Sequence, residues 1–165
     1  MEFFYRFVRG KTITMDDMDE RVAKLKTLED CEHFAKNVLE RNRPDLAQKA
    51  RKRALALRAE AYGATTEVER DCLEAVYAYE ELLTAKNGRK TRASSTWKMI
   101  KRHGVLPVVE SAVKRKVETA SDFAALRAMG LQDCAFEAAV VRHPELFSRD
   151  TVQRSRQRLG RWKRA

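Results

Sequence analysis

From Thr14 to the C-terminus the sequence alternates helix starts with helix stops, and strand signals are nearly absent. Thr14 precedes MDDMDERVAKLK, whose acids would fall in the first turn, where the helix dipole favours them. Thr27 opens LEDCEHFAKNVLER, with Leu28, Cys31, Ala35, Val38 and Leu39 on one face. Pro44 stands where the next helix begins and Gly63 where it ends. Between them Leu46, Ala50, Ala54, Leu57 and Ala61 form an alanine-rich stripe that permits close helix contact. Thr66 and Glu69 make a capping box for a helix bearing Val68, Cys72, Val76, Tyr79 and Leu83, which stops at Asn87-Gly88. Ser94 or Ser95 then caps a short helix ending at Gly104, and Pro107 begins VVESAVKRK. Ser121 caps FAALRAM before Gly130, QDCAFEAAVVRH runs to Pro144, and Ser148 caps a last, basic helix.

About eight or nine short-to-medium helices with short connectors predict an all-α fold, a compact multi-helix bundle. At 165 residues the chain can bury a real core without staples. Residues 14–165 read as a single helical domain: helical hairpins over 14–88, then a basic, helix-turn-helix-like half over 89–165. Residues 1–13 stand apart as a short extended arm. Its aromatic run, FFYRFV at 3–8, is the one strand-like piece, suited to packing on the bundle, on a second copy or on a protein partner.

Several classes are disfavoured. No apolar run approaches the length needed to span a bilayer, so no membrane association is expected. MEFFYRFVRG has an acid at Glu2, a brief apolar patch and no small-residue cleavage site, unlike a secretion signal. A cytoplasmic location is expected. Cys31, Cys72 and Cys134 lie far apart with no CxxC pair, which suits buried reduced thiols better than a zinc site. No HExxH, GxSxG, P-loop or Rossmann glycine pattern appears, and His33, His103 and His143 form no constellation. Asp133 and Glu137 share a helical stretch, a weak signal for a divalent metal. A binding protein without cofactor or metal is therefore expected rather than an enzyme.

The net charge of +10 is segregated. Residues 86–116 carry ten basic groups against Glu110, residues 148–165 seven against Asp150, and residues 41–58 seven against Asp45. The remaining segments are net acidic. Segregation of this kind creates a directional field that attracts polyanions. The helix over 41–58 precedes one rich in Glu67, Glu69, Asp71, Glu74, Glu80 and Glu81, so antiparallel packing would neutralise much of its charge internally.

The stretch NGRKTRASSTWKMIKRHG at 87–104 has no carboxylate. On a wheel with about 100° per residue, Lys101, Lys98 and Arg102 fall roughly 40° to 140° from Trp97. Ile100, Met99 and His103 fall on the other side, where they can enter a core. Arg89, Lys90 and Arg92 lie in the preceding loop, where side chains and backbone N–H groups can drape on phosphates. Lys114, Arg115 and Lys116 close the following helix. In the C-terminal helix Val152, Leu159 and Trp162 make a packing stripe, with Arg154, Arg158 and Arg161 on another face. Trp97 and Trp162 are expected in the core.

These observations predict a nucleic-acid-binding protein, with DNA favoured over RNA. Phosphates would be gripped by Arg89, Lys90, Arg92, Lys98, Lys101 and Arg102, with Lys114, Arg115, Lys116, Arg154, Arg158 and Arg161 as further contacts. The alternative is a helical adaptor or inhibitor that docks on an acidic protein surface, using FFYRFV as its apolar anchor.

Overall fold

Helix-capping chemistry sets most of the element boundaries. The computed structural model describes residues 6–8, 11–13 and 19–165. Arg6–Val8 (β1) and Lys11–Ile13 (β2) pair antiparallel, with Phe7 opposite Thr12. The remaining described chain is helical: α1 Glu20–Ala23, α2 Leu28–Glu40, α3 Pro44–Tyr62, α4 Glu67–Asn87, α5 Ser94–His103, α6 Val105–Lys114, α7 Ala120–Ala128, α8 Phe136–Arg142 and α9 Arg149–Arg164. Short 3-10 turns, Gln132–Cys134 and Pro144–Leu146, flank α8. The strand-like arm is thus a two-stranded ribbon over the residues described, and Phe3, Phe4 and Tyr5 lie outside them.

The Thr66–Glu69 capping box is present, as are the Pro44 start, the Gly63 and Gly88 stops and the Ser148 cap. Thr27 caps α2 as expected, with Asp30 completing a box. Other starts shift for local reasons. Thr14 lies outside the described residues. The short α1 is capped by Asp19, whose carboxylate accepts from the Arg21 N–H at 2.9 Å. Helix α6 begins two residues before Pro107, which sits in its first turn, where a missing N–H costs nothing. Helix α7 is capped by Thr119 with Asp122 as the reciprocal partner, not by Ser121. Helix α5 has Ala93 at its N-cap, so Ser94 is its first residue and neither serine caps it.

Helix α4 is the axle of the bundle. Cys72, Leu73, Ala75, Val76, Ala78 and Leu82 are all buried, more than one helix face supplies. One side joins Trp97, Ile100, Val109, Val113, Phe136 and Val140 from α5, α6 and α8. The other joins Leu55 of α3, Phe123 and Leu126 of α7, and Leu159 and Trp162 of α9. Each buried phenylalanine is worth about 1.5–3 kcal/mol relative to exposure. Helix α2 packs separately on α3 through Val38, Leu46 and Ala47, while Leu28 and Leu39 stay exposed. Because α3 touches α2 on one side and α4 on the other, its buried positions are Leu46, Ala47, Ala50, Leu55 and Ala59, not one stripe through Leu57 and Ala61. Among the described residues no helix is long and apolar enough to cross a membrane.

Gly130 closes α7 in the left-handed region at φ 74° and faces α3 at close range. A Cβ there would sit 2.5 Å from Cβ of Gln48, whose amide donates to the Ala128 carbonyl. Gly130→Ala should therefore cost at least about 1–2 kcal/mol from backbone strain alone, with the displaced Gln48 adding to it. Chemical denaturation would measure the loss, and a value within about 0.5 kcal/mol of wild type would contradict this account.

Candidate nucleic-acid interface

The loop between α4 and α5 is tied down by the last turns of α4. Glu80 accepts from the Ala93 N–H at 2.9 Å and from the Trp97 indole N–H at 2.5 Å. The Thr84 hydroxyl accepts from the Thr91 N–H, and the Asn87 amide donates to the Thr91 hydroxyl. Trp97 is buried between Tyr62 and Tyr77, at centroid distances of 5.2 and 4.9 Å. The anchor residue Glu80 carries no sequence mark that separates it from the other acids of its helix. Its role follows from α5 folding back on α4.

This framework displays cations. Arg89, Lys90, Arg92, Lys98, Lys101 and Arg102 are all exposed, and none forms an ion pair among the described residues. Arg92 lies over the Trp97 ring at 5.5 Å, which orients its guanidinium. The buried arc of α5 is narrower than expected: Trp97 and Ile100 point inward, while Met99 and His103 are exposed.

Helix α6 departs from a helix-turn-helix arrangement. There the second helix reads the groove, whereas here Val105, Val108, Val109, Ala112 and Val113 bury α6 against α4, α5, α8 and α9. The exposed cationic helix is α5. Beyond the end of α6, Arg115 and Lys116 are exposed without ion pairs among the described residues, about 15 Å from the end of α5 at 1.5 Å per residue. Lys114 pairs with Glu110 at 3.1 Å. Ser148 at the start of α9, then Lys114 and Thr151, hold the Glu110 carboxyl below its ordinary range against the opposing effect of burial.

The C-terminal helix corrects the sequence expectation. Val152, Leu159 and Trp162 are buried as predicted. Arg161 is exposed, and Arg154 pairs with Asp150 one turn earlier at 2.9 Å. Arg158, expected to meet a polyanion, points into the bundle instead. Its guanidinium donates to the Val113 carbonyl at 2.6 Å and to Glu137 at 3.0 Å, with 14% of its side chain exposed. A buried carboxylate at position 137 demands a cation there, and one helical turn past Arg154 is where α9 can supply it.

Glu137 belongs to a buried carboxyl pair. Glu118 and Glu137 are each 1% exposed, and the two carboxyls are close enough for each to act on the other's charge. Glu118 also accepts from the Phe136 N–H at 3.0 Å. Each carboxyl keeps one buried oxygen that no N–H or protein hydroxyl reaches. Burial, then the neighbouring Glu137 charge, push Glu118 well above the usual carboxylate range. Burial raises Glu137 as well, opposed by its contact with the Arg158 guanidinium. Asp133 lies apart from this pair, exposed and bound to Lys52 at 3.3 Å. The two acids weighed for a metal therefore do not converge.

The charge on α3 is partly neutralised. Arg58 pairs with Glu81 of α4 at 2.8 Å, Arg43 with Asp45, and Lys52 with Asp133. Glu69 instead caps its own helix, and Asp71 receives Arg142 and His143 at 3.0 and 2.8 Å. The exposed Arg43–Asp45 and Lys52–Asp133 pairs contribute about 0–1 kcal/mol each. The three cysteines are buried and unbridged, on α2, α4 and the turn before α8. Burial pushes the Cys72 and Cys134 thiols up to about 12, which leaves them inert. Among the described residues no cluster of three or more His, Cys, Asp or Glu side chains could hold a metal.

No family model matches this chain, and neither a curated protein nor a solved structure is significantly similar to it.

Proposed function

We propose that this protein binds nucleic acid through the α4–α5 loop and the outer face of α5. One observation carries the reading: six exposed cations, none in an ion pair among the described residues, stand on a loop and helix anchored to α4 by Glu80, Thr84 and Asn87. Most other buried or half-buried cations have carboxylates or carbonyls of their own, as with Arg58, Arg142 and Arg158. Anchoring the backbone lowers the ordering cost of binding. Phosphate contact then releases counterions and provides affinity without sequence information. Arg115, Lys116 and Arg161 extend the cationic surface. The buried reduced thiols are compatible with a cytoplasmic setting.

Replacing Lys98, Lys101 and Arg102 together with alanine should leave the fold intact, because all three side chains are exposed. The slope of log affinity against log salt should fall by about 2.7 on duplex DNA, at about 0.9 per lost phosphate contact. Titrations of a labelled oligonucleotide at several salt concentrations measure it. Wild-type affinity and slope in the folded triple variant would refute the assignment and favour docking on an acidic protein surface.

A further inference from the structure

The basic loop adjoins an aromatic groove that the phosphate contacts leave unexplained. Tyr62 closes α3 with 44% of its surface exposed. Beneath it lies Trp97, with ring planes tilted by 35° and the indole fixed by its hydrogen bond to Glu80. Arg92 covers another part of the same indole. Tyr62 also lines an open groove of about 450 Å³ with Leu28, Leu57, Ala61 and Tyr77, bordered by Lys26. Arg58, held by Glu81, sits over the Tyr77 ring at 5.8 Å. Aromatic rings, apolar side chains and the cations Lys26 and Arg58 thus line one groove, and Arg92 of the basic loop lies over the same Trp97 ring that packs on Tyr62.

We propose that the nucleic acid is single-stranded and that an unpaired base stacks on Tyr62 in this groove, with its phosphates running toward Arg92, Lys90 and Arg89. This inference rests on the nucleic-acid reading of the basic loop and specifies the form of the ligand. Stacking requires an accessible base face, which a duplex hides within its own stack, and it tolerates any base because each has a π-face. The direction of the strand follows from charge. Beyond Leu28 the first turn of α2 presents the exposed acids Glu29 and Asp30, which repel phosphate. The opposite side presents Arg92 and the loop. Tyr62 is preorganised because Trp97 supports its ring, so little rotamer freedom is lost on binding.

The test compares a fluorescent single-stranded oligothymidylate with a duplex of equal length, using the full chain and the variants Tyr62→Ala, Tyr62→Phe and K98A/K101A/R102A. The single strand should bind more tightly than the duplex at the same salt. Tyr62→Ala should weaken single-strand binding by about 5- to 150-fold, leave the salt slope unchanged and affect the duplex little. Tyr62→Phe, which keeps the ring, should bind like wild type. Circular dichroism and thermal melting would establish that each variant is folded. If Tyr62→Ala binds the single strand normally while the triple variant fails, the stacking proposal is wrong and the phosphate interface stands. If neither oligonucleotide binds wild type, the nucleic-acid reading itself falls. Occupation of the groove by an acidic peptide in place of the oligonucleotide would overturn the inference as well.

Discussion

Arg158→Met is expected to destabilise the protein by about 3–5 kcal/mol, the range seen when one partner of a buried ion pair is removed. The Glu137 carboxylate would remain 1% exposed and lose its cation, and the Val113 carbonyl would lose a donor. For a chain of this size the melting temperature should drop on the order of 10 °C. Urea denaturation followed by circular dichroism gives the free energy directly. The double variant E137M/R158M should recover much of the loss, because two apolar side chains replace the pair without leaving a bare charge. A surface arginine serving only as a phosphate ligand would change stability by about 0.5 kcal/mol or less. That outcome would return Arg158 to the interface predicted from sequence.

The second large effect concerns pH. Burial, then the adjacent Glu137, raise Glu118 well above its ordinary value in the native state. A carboxyl raised on folding holds its proton more tightly in the native chain. The stability it confers is complete below the unfolded glutamate range near about 4.3 and is lost as pH rises through the folded value. One such group contributes a slope of at most about 1.4 kcal/mol per pH unit. Glu69, Glu110 and Asp122 are lowered on folding and act in the opposite sense, losing stability as pH falls. Glu118→Gln separates the two. Its carbonyl can still accept from the Phe136 N–H, and position 118 no longer titrates. The stability of E118Q relative to wild type should therefore grow as pH rises above the unfolded glutamate range. A constant difference between the two proteins across that range would contradict a raised Glu118.

The Glu118–Glu137–Arg158 cluster also shows where sequence reasoning stops. Glu118 and Arg158 are forty residues apart and come to the same Glu137 because α8 and α9 both pack on α6. On a helical wheel Arg158 shares a face with Arg154 and Arg161, yet burial differs along that face as α9 passes α8. A wheel reports angle and not depth. The same limitation affects Met99, which falls with Ile100 on the wheel but remains exposed, and Tyr62, which closes its helix without periodicity to single it out.

The features legible in the residue order are local. Capping boxes, Pro44 at a helix start, and glycines with positive φ at helix ends act through hydrogen bonds and sterics within a few residues, so they read directly as the helix order and the all-α class. The run of six cations without a carboxylate is local too, and their exposure could be expected from charge alone. Tertiary structure decided which charges remain available. Desolvating Glu137 required Arg158 inside, while folding α5 onto α4 turned Glu80 into an anchor and left the loop cations outside. These choices depend on distances between segments far apart in the chain. They are set by how apolar faces from several helices close around α4, a many-body packing condition that no local pattern encodes.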